Sequence, residues 1–258
     1  MGFDVTYHPV SEQMLHICYF DLVLTHAEVV DRCAEKGIDK IFCDKLQGWV
    51  EHDRALLAGS NFDTTIGYHA AAAAGIFTRY HYLRGGLLSA VEGIDPYTKS
   101  WQEIVPSLAG HHSVQDRIVE NYSSGVYIPS DAVPQLRHDL VTSPTMMEAT
   151  AKIFPPESLA ILLSVLDEAI EKQSGLLEAT DVIEPNPLDL NATTGASNRL
   201  NCDLAGPLLY QQVAMEQLGQ SGLADAVAAG NVERVVVHSS GSAQAPVKRS
   251  FLDRLRGS

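Results

Sequence analysis

The chain has no Cys-x-x-Cys pair and no tight cysteine spacing; its four cysteines, Cys18, Cys33, Cys43 and Cys202, are scattered over 258 residues. That spacing excludes a zinc knuckle and a small disulfide framework, and it leaves reduced thiols in a cytosol as the expected state. No lysine or arginine precedes Arg32, so the charge pattern of a secretion signal is absent, and no apolar run is long enough to cross a bilayer. The patterns G-x-G-x-x-G, G-x-x-x-x-G-K-[ST], G-x-S-x-G and H-E-x-x-H do not occur. With them go the sequence marks of dinucleotide binding, phosphate loops, nucleophile elbows and zinc peptidases. No internal repeat is visible, which disfavours a solenoid. Cations are scarce: 18 Lys and Arg against 32 Asp and Glu leave a net charge of −14, the wrong sign for a duplex nucleic-acid partner.

What is present is an ordinary globular composition, 45% hydrophobic and 19% charged, enough to bury a sizeable core. The patterning predicts an α+β fold, predominantly helical with a small β-sheet and organised around an antiparallel helical hairpin. One globular domain is expected over residues 1–238, followed by a small-residue linker and a short basic amphipathic tail over 239–258. Strands are expected at residues 3–8, ended by Pro9, at 125–128, and at 232–238 with its Val235-Val236-Val237 run. Residues 176–183 read as a strand with a helical alternative open.

Among the helices, Ser11 is placed to cap one running through Met14, Leu15, Cys18 and Tyr19. Thr25-His26-Ala27-Glu28 reads as a capping box for a helix closed by Lys36 and Gly37. Ser113 and Asp116 can start a short helix ending near Tyr122, and Ser130 and Asp131 cap one with Pro134 in its first turn. Pro155-Pro156-Glu157 opens a helix whose stripe is Leu159, Leu162, Leu163, Leu166 and Ile170, and Pro207 opens another through Leu218.

The hairpin carries the titratable residues of interest. At about 100° per residue, Phe42, Leu46, Trp49, Val50, Leu56 and Leu57 fall in one apolar arc, and Asp53 lies in its middle. A carboxylate there is costly unless it is paired. The next segment, 64–84, reads as one helix with Ile66, Ala70, Ala73, Phe77 and Tyr80 on a face and His69, His81 and Arg84 on or beside it. A turn-forming connection, Gly59 to Asp63, makes the two antiparallel. Reflection about Asn61 sets Trp49 against Ala73 and Asp53 against His69. Asp53 and His69 are therefore the candidate acid/base pair, or two ligands of a divalent metal, set beside the plainer role of fixing hairpin register.

Two weaker groupings complete the reading. Asp181, with Glu184, Asp189 and Asp203 of the turn-rich stretch 184–206, has the oxygen chemistry of a Ca²⁺ or Mg²⁺ site without the spacing of an EF-hand. His111 and His112, being adjacent, point apart on regular structure and suit a solvated turn.

His52-Asp53 resembles the His-Asp dipeptide of the HD phosphohydrolases. The resemblance implies an all-helical metal-dependent hydrolase in which His52 and Asp53 bind the metal, with His26 or His69 as a further ligand; a second such dipeptide stands at His138-Asp139. Set beside it is a non-catalytic, cytoplasmic protein-binding module that occupies a basic partner, as immunity proteins do. Lys248, Arg249, Arg254 and Arg256 against Asp253 make the tail +3, so the preceding body, in a chain of −14, carries −17. Such a body favours a basic protein as partner.

Overall fold

The computed structural model describes residues 3–25, 27–58, 65–108, 117–118 and 120–220. The expected strand at 232–238, the tail, the Gly59–Asp63 connection, His26, His111, His112, Ser113 and Asp116 lie outside them. In chain order come β1 (Asp4–Val10), α1 (Glu12–Leu15), a π-helical turn (His16–Phe20), α2 (Asp21–Thr25), α3 (Val29–Lys36), α4 (Lys40–Ala58) and α5 (Thr65–Phe77). Then follow β2 (His81–Arg84), α6 (Trp101–Ile104), β3 (Ser124–Ile128), α7 (Val133–Thr142), α8 (Pro144–Ala151), α9 (Pro156–Glu171), β4 (Gly175–Thr180), a short hairpin of β5 (Ile183–Glu184) and β6 (Thr194–Gly195), and α10 (Ala205–Gln220). The fold is α+β and helix-rich. Its main sheet is antiparallel in the order β2-β1-β4-β3.

The sheet lies between two helical layers. On one face Val5, Tyr7, Leu83, Val126, Ile128 and Leu176 join the cores of α7, α8 and α9. On the other, Leu177, Ala179 and Tyr127 join residues from the first helices, α4 and α5. This is the period-2 alternation of strands whose two faces both carry cover.

Several boundaries differ from the sequence reading; at α7, Ala132 is the N-cap without a side-chain bond, so Ser130 and Asp131 do not cap that helix. The helix expected through Arg84 stops at Phe77, and His81–Arg84 becomes β2 by pairing with Asp4–Tyr7. Pro9 does not end β1 but pairs with Leu176. The Phe3 carbonyl accepts from Gly85 and the Asp4 carbonyl from Asp181, so by alternation Pro9 faces the β2 side, where pairing has already ended at Tyr7. No donor is needed there. The Thr25 capping box does not form: Thr25 ends α2 with its hydroxyl on the Asp21 carbonyl, and Glu28 is the N-cap of α3 without a side-chain bond. Gly37 does close α3 in the left-handed region, at φ 64°. Residues 120–122 form a turn, with Tyr122 at φ 59°, and not the end of a helix. On α9 the buried line runs through Leu162, Val165, Leu166 and Ala169, leaving Ile170 exposed.

α5 is the most enclosed helix. Ala70 to Ala74 are all fully buried, so its faces are covered all round, where the sequence suggested one contact face. Among the described residues no helix is long and apolar enough to cross a membrane.

Candidate functional site

Asp53 belongs to the buried side of α4 with Cys43, Leu46, Trp49 and Val50. Its side chain is wholly inaccessible, and three donors converge on it. His69, from α5, brings Nδ1 to 3.1 and 3.0 Å from the two carboxylate oxygens. His52, the preceding residue on α4, places Nδ1 2.9 Å from Oδ1. The Tyr19 hydroxyl donates to Oδ2. An imidazole nitrogen facing a carboxylate at these distances donates, so both rings carry their proton on Nδ1.

The surroundings fix the group. The Trp49 indole lies flat on the His69 ring, centroids 5.7 Å apart at 13°, and His52 meets the same ring edge-on at 5.7 Å. His69 is nearly buried, whereas the His52 side chain is 52% exposed, so the cluster reaches solvent through His52. Burial, reinforced by the Asp53 charge, pushes the Tyr19 hydroxyl well above the usual tyrosine range; it remains a proton donor.

The structure thus brings together His52, Asp53 and His69, and adds Tyr19. Tyr19 sits in the π-helical turn between α1 and α2, a local rewinding often found at functional positions. The sequence signal was a tyrosine on an apolar helical face, whose hydroxyl must find a partner once buried. Nothing local says that the partner lies 34 residues on. Among the described residues this is the single group of three His, Cys, Asp or Glu side chains whose donor atoms lie within 4.8 Å of one another.

The other sequence candidates separate. His81, now on β2, donates Nε2 to Glu168 of α9 at 2.7 Å and lies 3.8 Å from Asp203. Burial holds its pKa below the usual histidine value against the pull of Glu168. In the acidic loop, Asp181 and Glu184 both engage Tyr122, Asp189 caps its own turn at the Asn191 N–H, and Asp203 pairs with Arg79. They do not assemble a cation cage. Asp139 of the second His-Asp dipeptide accepts from Tyr97 and Gln135. The HD resemblance implies an all-helical fold, and the antiparallel sheet between two helical layers departs from it.

A different surface forms where β2, the loop before α10 and α9 meet. Arg79 and Asp203 stand between two open clefts, of about 640 and 480 Å³. The smaller is walled in part by Leu200 and Leu204, which are 84% and 62% exposed. Leu208 and Met215 on α10 lie within about 20° of one another around the helix, and both are about half exposed. Glu168, Glu171 and Asp167 line the larger cleft together with Arg79 and Lys172, both of which pair with Glu168.

Comparison with protein-family models, with curated proteins and with solved structures finds no match for the chain.

Proposed function

We propose that this protein acts by binding, and that its partner is a basic protein docked on the α10 face. One observation carries the reading: Leu200 and Leu204 stand exposed at the smaller cleft, and Leu208 and Met215 are half exposed on the neighbouring α10, beside clefts edged with carboxylates. Contiguous apolar surface rimmed by polar groups is the usual form of a recognition patch. A net charge of −14 supplies a long-range field that speeds encounter with a basic surface and weakens as salt is added. The exposed apolar side chains supply affinity; the acidic rim selects the sign of the partner.

The test is capture from native cell extract by the full chain, compared with a Leu204→Glu, Leu208→Glu variant. Basic proteins are expected on the wild-type chain, released by raised salt and missing from the variant. Captured proteins that are acidic, insensitive to salt or equally retained by the variant would overturn the proposal.

A further inference from the structure

We infer that His52, Asp53 and His69 form a binding site for one divalent transition-metal ion of the zinc type. The inference is independent of the docking face. Two imidazole nitrogens and a carboxylate oxygen are a donor set suited to Zn²⁺ and its neighbours in the first row, and unsuited to Ca²⁺ or Mg²⁺, which take oxygen throughout.

The spacing fits. An ion with bonds of about 2.0–2.1 Å to nitrogen and oxygen sets neighbouring ligand atoms about 3 Å apart when the bonds meet near right angles. The His52 and His69 Nδ1 atoms already lie 2.9 and 3.0 Å from Asp53 oxygens, and all three donor positions fall within 4.8 Å of one another. Each Nδ1–H axis points at a carboxylate oxygen, so the rings and the carboxylate must turn to admit the ion between them; α4 and α5 already hold the three groups side by side. Each ring shifts its proton from Nδ1 to Nε2, and the freed Nδ1 lone pair takes the metal.

The supporting contacts are those of a held ligand set. Tyr19 donates to Asp53 Oδ2 and fixes the carboxylate plane; the Trp49 ring fixes the plane of His69. Such outer contacts orient ligands before the ion arrives. His52 argues further against a purely structural lock. To pin the register of α4 and α5, Asp53 needs one donor, and His69 provides it. His52 is half exposed, so water would satisfy its ring equally well, yet it turns back onto the same carboxylate. It also opens the cluster to solvent and so leaves a route for the ion.

Co²⁺ reports on the site through its visible absorption, and Zn²⁺ by displacing it. The full chain, purified with chelator and then freed of it, is expected to bind one equivalent of Co²⁺ saturably. Zn²⁺ should bleach the band, and either ion should raise the thermal midpoint. His52→Gln lies on the exposed edge of α4 and should fold as the wild type does by circular dichroism, yet weaken Co²⁺ binding by at least about tenfold. His69→Gln should do the same. His138→Gln, at an exposed histidine elsewhere, should change nothing. Absence of saturable binding at millimolar Co²⁺, or binding that survives both His52→Gln and His69→Gln, overturns the inference and leaves the cluster as a hydrogen-bonded register lock.

Discussion

Asp53→Ala strips the acceptor from the Tyr19 hydroxyl and the His69 Nδ1–H, both of them buried. The unfolding free energy should fall by about 2–5 kcal/mol in urea titration, since stranded buried donors lose their hydration as well as their bond. Asp53→Asn should lie between wild type and alanine, because its amide nitrogen faces donors where an oxygen accepted. Tyr19→Phe removes one bond and keeps the ring, and should cost about 1 kcal/mol. His8 carries the clearest pH signature. Fully buried, it stacks on Tyr80 and bonds through Nε2 to Thr6; burial, aided by nearby His81, lowers its pKa to about 3. The unfolded chain takes up that proton near pH 6.5 and the folded one only near 3, so between these values the unfolded state holds more protons. Stability from this residue is complete above about pH 6.5 and is lost as pH falls, by roughly 1.4 kcal/mol per unit within the window. His8→Phe, which keeps a stacking ring, should flatten the acid limb of stability against pH measured by urea unfolding at several pH values.

The elements are held by close approaches that tolerate little. α10 covers the outer edge of β2: the Tyr80 N–H donates to Asn201, the Asp203 N–H donates to Tyr80, and a Cβ on Gly206 would stand 1.6 Å from the Tyr82 carbonyl oxygen. That oxygen faces outward from the β2 edge, on backbone held to β1 through its neighbours His81 and Leu83, and cannot retreat. Gly206→Ala should therefore push α10 off the strand, lowering stability by about 3 kcal/mol and speeding hydrogen exchange in β2. The cover also shields an edge strand that would otherwise offer free backbone groups to another chain. On the opposite face Glu178 ties the 86–90 loop to β4. Its buried carboxylate accepts from the Leu88 and Ser89 N–H groups and from Tyr7. Burial raises its pKa despite these donors. In this case the folded state holds the proton longer, so the Glu178 contribution is complete below its unfolded value near 4.5 and declines as pH climbs toward the folded one, opposite in sign to His8. Glu178→Gln should remove that decline from the stability profile.

At the scale of the molecule, a charge of −14 repels itself in the compact state. Raising NaCl from low to physiological strength should lift the thermal midpoint by roughly a few degrees, read by differential scanning calorimetry; a midpoint that fell would mean that attractive pairs such as Arg84–Asp4 and Arg137–Asp167 outweigh the repulsion. The helix-rich α+β class, the first and third strands, α9 and α10 and the buried stripe of α4 were all legible in the sequence, because period and capping chemistry are local. The approach of Asp53 to His69 was legible too, since a short turn between two helices leaves few registers to consider. What local pattern could not decide was where a partner lay far away in the chain. Tyr80 to Arg84 carry residues that continue a helical face, and only β1 arriving alongside with unpaired backbone groups makes them a strand. Pro9 reads as a terminator until the shortness of β2 leaves its side of β1 unpaired. Tyr19 reads as core until α4 delivers a carboxylate to its hydroxyl. In each case the backbone or side-chain group needed a hydrogen-bond partner that sequence neighbours do not supply, and the tertiary structure alone determined which distant group met it.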